Sequence, residues 1–352
     1  MKTCVYSRFV FDLPYLNYWI EHYLNLKFDY IIILFFEYKY KDISSVKNKL
    51  IEDNVLDKKF NTDNIIIKLV DNNINPNELY FQYKFIIPKD VYYLLQCDSD
   101  EYLLINDKYK CIKNLLKIKC SNVKSKTSKT NTKVNLNNIV TLGLSWTWNK
   151  DPFNYDILNQ NIYTGKKGGM FKKGIFYKYI IKIDDKIKKS KCKHPIHGQC
   201  DFVFDIKDAQ LLHLRQRGFN NILLKFMHYN KELKGMGISH SSAAKSKSGN
   251  FTEMFNFIIN FNLSNKKDII NKLKELNCFG YDMKLKENIS EYIQKNMNNK
   301  IKNNNFSVSN KSIEQTHYDG WFIHRLKTND YSDENIYLFI KNIHMINKIL
   351  HQ

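Results

Sequence analysis

The stretch Tyr92-Tyr93-Leu94-Leu95-Gln96-Cys97-Asp98-Ser99-Asp100-Glu101-Tyr102-Leu103 decides the fold, because an apolar, aromatic-rich segment runs straight into three carboxylates and then turns apolar again. A buried strand delivers a metal-binding acidic tip in this way. Negative charges this close repel unless a cation sits between them. An Asp-x-Asp pair alone is a weak signal, since chance supplies about one in a chain this rich in aspartate. The strand before it and Glu101-Tyr102 after it raise its value.

Upstream of the tip, strand and helix patterns alternate. Thr3 to Phe9 reads as a strand, Leu13 to Leu26 as a helix with Leu16, Trp19, Ile20, Tyr23 and Leu24 at helical spacing, and Tyr30 to Phe36 as a buried strand. Ile43 to Asn54 reads as a short amphipathic helix, Asn64 to Val70 as a strand, Asn77 to Ile87 as a helix and Val91 to Gln96 as the strand that carries the carboxylates. Such alternation predicts an α/β domain with a mostly parallel sheet flanked by helices. Ligands of these sheets bind outside the carboxyl ends of the strands, where Asp98 lies.

Farther on, Ser121 to Asn138 is polar and aperiodic and reads as a loop. Strand patterns return at Ile139 to Trp148 and Gly174 to Ile183, separated by a segment containing Gly165, Gly168 and Gly169. Those glycines read as loop punctuation, because no helix start follows them as a phosphate cradle requires. A serine- and lysine-rich patch from Ser239 to Asn250 marks a boundary. The expected organisation is one domain over 1–238, with a flexible loop at about 121–138, and a mainly helical C-terminal extension over 250–352.

The formal net charge of +20 invites a nucleic-acid reading, yet arginine stands only at Arg8, Arg215, Arg217 and Arg325. Readers of nucleic acid lean on arginine, so none is expected as partner. Alanine is confined to Ala209, Ala243 and Ala244 while lysine, asparagine, isoleucine and tyrosine abound, so much of the charge is compositional background. It still suits an anionic substrate or peripheral contact with an acidic membrane surface. The seven cysteines are odd in number and scattered, which favours a reducing compartment. No apolar run reaches membrane-span length, and Lys2 is followed by strand-like residues instead of a signal-peptide core. A cytoplasmic location is expected.

The second chemical feature is Leu211-Leu212-His213-Leu214-Arg215-Gln216-Arg217-Gly218, in which His213, Arg215 and Arg217 alternate and so share one side of an extended segment. Imidazole ligates manganese-like cations beside carboxylates, and the arginine fork donates two parallel hydrogen bonds to phosphate. A metal-bound diphosphate would fit; an edge strand with a solvated basic face is the plainer alternative. Trp146 and Trp148 could stack on a sugar, with core packing of at least one as the alternative. Cys192, His194, His197 and Cys200 match no common structural-zinc spacing.

The order of these features resembles glycosyltransferase family 92 and related family 2-like transferases of the GT-A fold, over about residues 1–235. Leu16 through Ile31, with Trp19, Glu21 and His22, resembles the family's opening helix, turn and second strand. Asp98-Ser99-Asp100-Glu101-Tyr102 is similar to its Asp-x-Asp-Glu-Phe signature, Leu144-Ser145-Trp146 to its strand ending in tryptophan, His194-Pro195 to its His-Pro element, and His213-Leu214-Arg215 to its His-Tyr-Arg segment. Departures stand at Phe11-Asp12, Phe36-Glu37-Tyr38 and Trp148-Asn149-Lys150, positions that bear on donor and acceptor recognition.

The resemblance implies metal-dependent, inverting transfer of a sugar from a nucleotide diphosphate, a UDP-sugar foremost, to a glycan or glycoprotein hydroxyl. It implies Mn2+ or Mg2+ held by Asp98, Asp100 and His213, a donor met by Asp98, Arg215 and Arg217, and an acceptor met by Trp146, Trp148 and His194. The general base falls among Glu101, Asp151 and Asp156. Two alternatives stay open. A nucleotidyltransferase or other metal-dependent phosphoryl-transfer enzyme would need further converging carboxylates, and a non-catalytic lysine-rich nucleic-acid binder would show steep salt dependence.

Overall fold

The computed structural model describes residues 1–36, 38–40, 45–70, 84–121, 141–149, 162–164, 178–183, 202–204, 208–213, 218–230, 232–233, 249–276, 278 and 311–351. They fall into two compact units, the first drawn from Met1–Trp148 and Ile162–Arg215, the second from Gln216–Asn299 and Phe306–Gln352.

The first unit is a mixed α/β layer structure. Its strands are β1 (Lys2–Phe9), β2 (Tyr30–Phe35), β3 (Ile65–Leu69), β4 (Val91–Gln96), β5 (Glu101–Ile105), β6 (Thr141–Asn149), β7 (Ile162–Thr164), β8 (Lys178–Lys182), β9 (Phe202–Val203) and β10 (Ala209–His213). They follow the order β3-β2-β1-β4-β8-β6-β10-β5, with β7 and β9 also pairing with β6. From β3 to β4 the neighbours are parallel. Strand β8 runs antiparallel to both β4 and β6, β10 is parallel to β6, and β5 is antiparallel to β10. The order reverses between β1 and β4, the kind of switch point at whose carboxyl ends such sheets bind ligands, and Asp98 follows β4 there. Strands buried on both faces read as continuous apolar runs, which is why Ile31–Phe36 is buried without alternation.

Helices α1 (Leu16–Asn25), α2 (Val46–Glu52) and α3 (Ile112–Ser121) accompany the sheet. In α1 the residues Leu16, Trp19, Ile20 and Tyr23, spaced by three and four, are fully buried. The helix ends in a Schellman turn: the Phe28 amide donates to the Tyr23 carbonyl at 3.2 Å and the Lys27 amide to Leu24 at 2.9 Å. Lys27 takes the left-handed backbone this turn requires, at φ 62°. The Phe28 ring then packs edge-on against Tyr23, 5.5 Å between centroids, and directs the chain into β2.

The second unit is helical: α4 (Gly218–Tyr229), α5 (Phe251–Ile259), α6 (Lys266–Glu275), α7 (Lys311–Thr328) and α8 (Asp333–Leu350). Asn250, Asn265 and Ser332 cap α5, α6 and α8 by accepting from the amides of Glu253, Asp268 and Asn335. Phe255 stacks on Phe339 at 5.3 Å, and the buried Asn342 amide of α8 donates to the Ile258 and Ile259 carbonyls at the end of α5, the former shared with the Phe261 amide. The C-terminal region is thus helical, as its apolar spacing predicts.

Several sequence expectations shorten in the structure. The first helix begins at Leu16, because Leu13–Tyr15 with Pro14 forms a 3₁₀ turn ahead of it. The segment expected as helix over Asn77 to Ile87 is described only from Lys84, where Lys84–Ile86 is a 3₁₀ turn. The loop at 121–138, apart from Ser121 at the end of α3, the three glycines and the Cys192 to Cys200 cluster lie outside the described residues. Among the described residues no helix is long and apolar enough to cross a membrane.

Candidate functional site

Strand β4 stays tied to β1 as far as Cys97, whose amide donates to the Tyr6 carbonyl at 3.1 Å. The chain then turns. The Glu101 amide donates to the Asp98 carbonyl at 3.0 Å, and the Asp98 amide donates to the Glu101 carboxylate at 2.7 Å. This reciprocal pair closes the turn that carries the chain from β4 to β5. Beside it the Ser99 hydroxyl donates to buried Asp12 in the loop after β1, spanning the switch point from β4 to β1.

Beyond the turn, β5 does not pair with β4; it pairs with β10 at the far end of the strand order. Helix α1 holds it in place. Trp19 Nε1 donates to the Glu101 carbonyl at 3.2 Å, the Tyr23 hydroxyl donates to the same carbonyl at 3.1 Å, and the Leu103 amide donates to Tyr23 at 3.2 Å. His22 Nε2 donates to the Leu103 carbonyl at 2.8 Å. Burial pushes the His22 pKa down to about 4, the carbonyl contact opposing it, so the ring is neutral. The Trp19 and His22 pattern therefore serves as a strut between helix and acidic tip. Cys97 lies under the turn 3.3 Å from the Tyr23 hydroxyl, and burial raises its thiol well above the ordinary range, which suits a packed, unreactive sulfur.

Two side chains reach the tip from distant sequence. His213 ends β10, in register with Glu101 of β5 and with Trp148 of β6. Its Nε2 lies 3.4 Å from Asp100 Oδ1, both side chains largely buried. Lys178 opens β8, and because β8 runs antiparallel to β4, its first residue lies beside the last residues of β4. The Lys178 ammonium is 3.0 Å from Asp98 Oδ2 and 3.0 Å from Glu101 Oε2, with the lysine side chain 1% exposed, that of Glu101 0% and that of Asp98 60%.

The electrostatics follow from this placement. Burial pushes Glu101 up to about 7, against the downward pull of Lys178. Desolvation acts to raise Asp98 too, but Lys178 outweighs it and holds that carboxyl below its usual range. Burial alone would lower the Lys178 pKa, yet the attraction of Asp98 and Glu101 raises it and keeps the ammonium charged.

Of the residues predicted from sequence, Asp98, Asp100, Glu101 and His213 come together. Glu101 is fully enclosed, with one oxygen bound to the Asp98 amide and to Lys178. The backbones of Trp146 and Trp148 lie in β6, in register with Leu211 and His213. Asp151, Asp156, His194, Arg215 and Arg217 lie outside the described residues. The sequence reading missed Lys178 and Asp12. Lys178 carries a faint signal, a lysine heading the apolar run Tyr179-Ile180-Ile181.

Among the described residues, no group of three or more His, Cys, Asp or Glu side chains is gathered so as to hold a metal ion. Asp100 and His213 nevertheless form a facing carboxylate–imidazole pair of the right donor chemistry. One carboxylate with waters and substrate phosphates is a share divalent cations accept, and the imidazole beside it suits a transition-metal ion such as Mn2+ better than Mg2+.

No protein-family model matches the chain, and no curated protein does. Among solved structures, UDP-glucose pyrophosphorylase complexed with UDP-glucose is similar at 9% identity with a TM-score of 0.24, over 68% of this chain and 83% of that one. So slight a likeness bears neither on the fold type nor on the site.

Proposed function

We propose that this chain is a glycosyltransferase of GT-A type, resembling family 92, that moves a sugar from a UDP-sugar to an acceptor hydroxyl with the help of a divalent cation. The observation that carries the reading is the meeting at 3.4 Å of Asp100, on the turn between β4 and β5, and His213, at the end of β10 where it pairs with β5. The parallel run β3-β2-β1-β4 followed by antiparallel β8 supports the GT-A reading, as does the position of the tip beside the switch point between β1 and β4.

Asp100 and His213 would hold the cation, which when bound supplies Lewis-acid stabilisation of the leaving diphosphate. Asp98, ionised and with its side chain 60% exposed, is suited to accept hydrogen bonds from donor hydroxyls. Glu101 is assigned to the turn, since an enclosed carboxylate offers no face to an acceptor; the general base then falls to Asp151 or Asp156. Residues 1–238 are taken as the transferase domain and 250–352 as its helical C-terminal extension.

The test is product analysis with UDP-glucose and related donors plus Mn2+. Metal-dependent release of UDP with a new glycoside supports transfer. Formation of UTP from added pyrophosphate would instead establish nucleotidyl transfer and overturn the proposal.

A further inference from the structure

We infer that Lys178 is a positioning residue: a built-in cation that holds Asp98 and Glu101 and keeps both carboxylates out of the metal's ligand set. Three carboxylates within one turn would otherwise converge on any divalent ion that entered. The ammonium takes up that attraction for two of them, at 3.0 Å from each.

The arrangement is built into the sheet. Lys178 heads the strand that runs antiparallel beside β4, and its side chain is 1% exposed, so it holds one position instead of sampling solvent as surface lysines do. Glu101 is locked a second time by the Asp98 amide at 2.7 Å. Asp98 has one oxygen on the ammonium while its side chain remains largely exposed. The tip is thereby divided: Asp100 and His213 would be left to hold a cation, and Asp98, largely exposed, to accept from a neutral hydroxyl. The division rests on the metal-dependent reading above, but the charge balance at Lys178 does not need a nucleotide to be measured.

The experiment is titration of Mn2+ alone into the intact chain, with free Mn2+ followed by electron paramagnetic resonance. Lys178→Met removes the ammonium and keeps the stem. It should bind Mn2+ at least about tenfold more tightly than the parent, because a like charge beside the ion is lost and Asp98 is released to join Asp100 and His213. Lys178→Arg should keep the parent affinity, and adding Asp98→Asn to Lys178→Met should remove the gain. A lysine that merely packs would leave affinity unchanged or lower it. Circular dichroism checks each fold; since Lys178→Met strands a buried carboxylate, Lys178→Met with Glu101→Gln serves as second carrier and should also bind more tightly than the parent. Mn2+ affinity no tighter than the parent in either folded variant overturns the inference. Whether UDP stabilises the parent chain is measured separately, so failure of the nucleotide reading is told apart from failure of this one.

Discussion

His22 makes the packing of α1 against β5 measurable through pH. Its ring is buried with its pKa depressed to about 4, while in the unfolded chain it returns to about 6.5. Below pH 6.5 the unfolded state binds the proton and the folded state does not, so the contribution of this group to stability falls as pH falls, and the fall levels off below pH 4. With those two values the loss at pH 5 relative to pH 7.5 is about 2 kcal/mol, approaching about 3 kcal/mol at pH 4. His22→Gln keeps a side-chain donor for the Leu103 carbonyl and cannot titrate. Urea unfolding of both proteins from pH 7.5 to 4 should show the variant gaining on the parent by that amount as acid is added. Glu101, raised to about 7, works in the opposite sense over nearly the same window, losing stability as pH rises, but it is present in both proteins and cancels in the difference. Parallel pH profiles for the two proteins would refute a buried neutral His22.

Other outcomes follow from the same contacts. Tyr23→Phe leaves the Leu103 amide without its hydroxyl acceptor and should cost about 1–3 kcal/mol in urea unfolding; a change within error would show that water or another group replaces the hydroxyl. Asn342→Leu removes the donor to the Ile258 and Ile259 carbonyls and should cost a similar amount, about 1–3 kcal/mol, read from the same midpoint shift. An unchanged midpoint would mean that the Phe261 amide suffices for Ile258 and that Ile259 finds another partner.

Much of the sheet was legible because its strands are buried on both faces. Tyr30 to Phe36 admits no reading but a core strand, and its observed span, Tyr30–Phe35, differs by one residue. The acidic tip was legible for the opposite reason, an abrupt change from apolar to charged at Cys97-Asp98. His213 stood out because it sits in an apolar run and alternates with two of the chain's four arginines. Lys178 did not, because one lysine among 55 basic residues carries no compositional signal, and its meaning comes only from the antiparallel register that sets it beside β4. Long-range pairing also hid the role of α1. The spacing of Trp19 and Tyr23 marks a buried face, but that their polar atoms bind Glu101 and Leu103 depends on β5 leaving β4 for β10. Asp12 was noticed only as a departure from the family pattern, whereas its contact with Ser99 joins the loops on both sides of the switch point.

The central claim is that a divalent cation held by Asp100 and His213 brings a nucleotide diphosphate to the end of β4. Its most direct test is the melting temperature of the parent and of Asp100→Ala with UDP, with Mn2+ and with both, since a ligand bound to the folded state raises the melting temperature. The expected result is stabilisation of the parent by UDP only when Mn2+ is present, and none for Asp100→Ala, each protein being compared with its own melting temperature without ligand. Equal stabilisation of both proteins, or stabilisation by UDP irrespective of Mn2+, would contradict the claim.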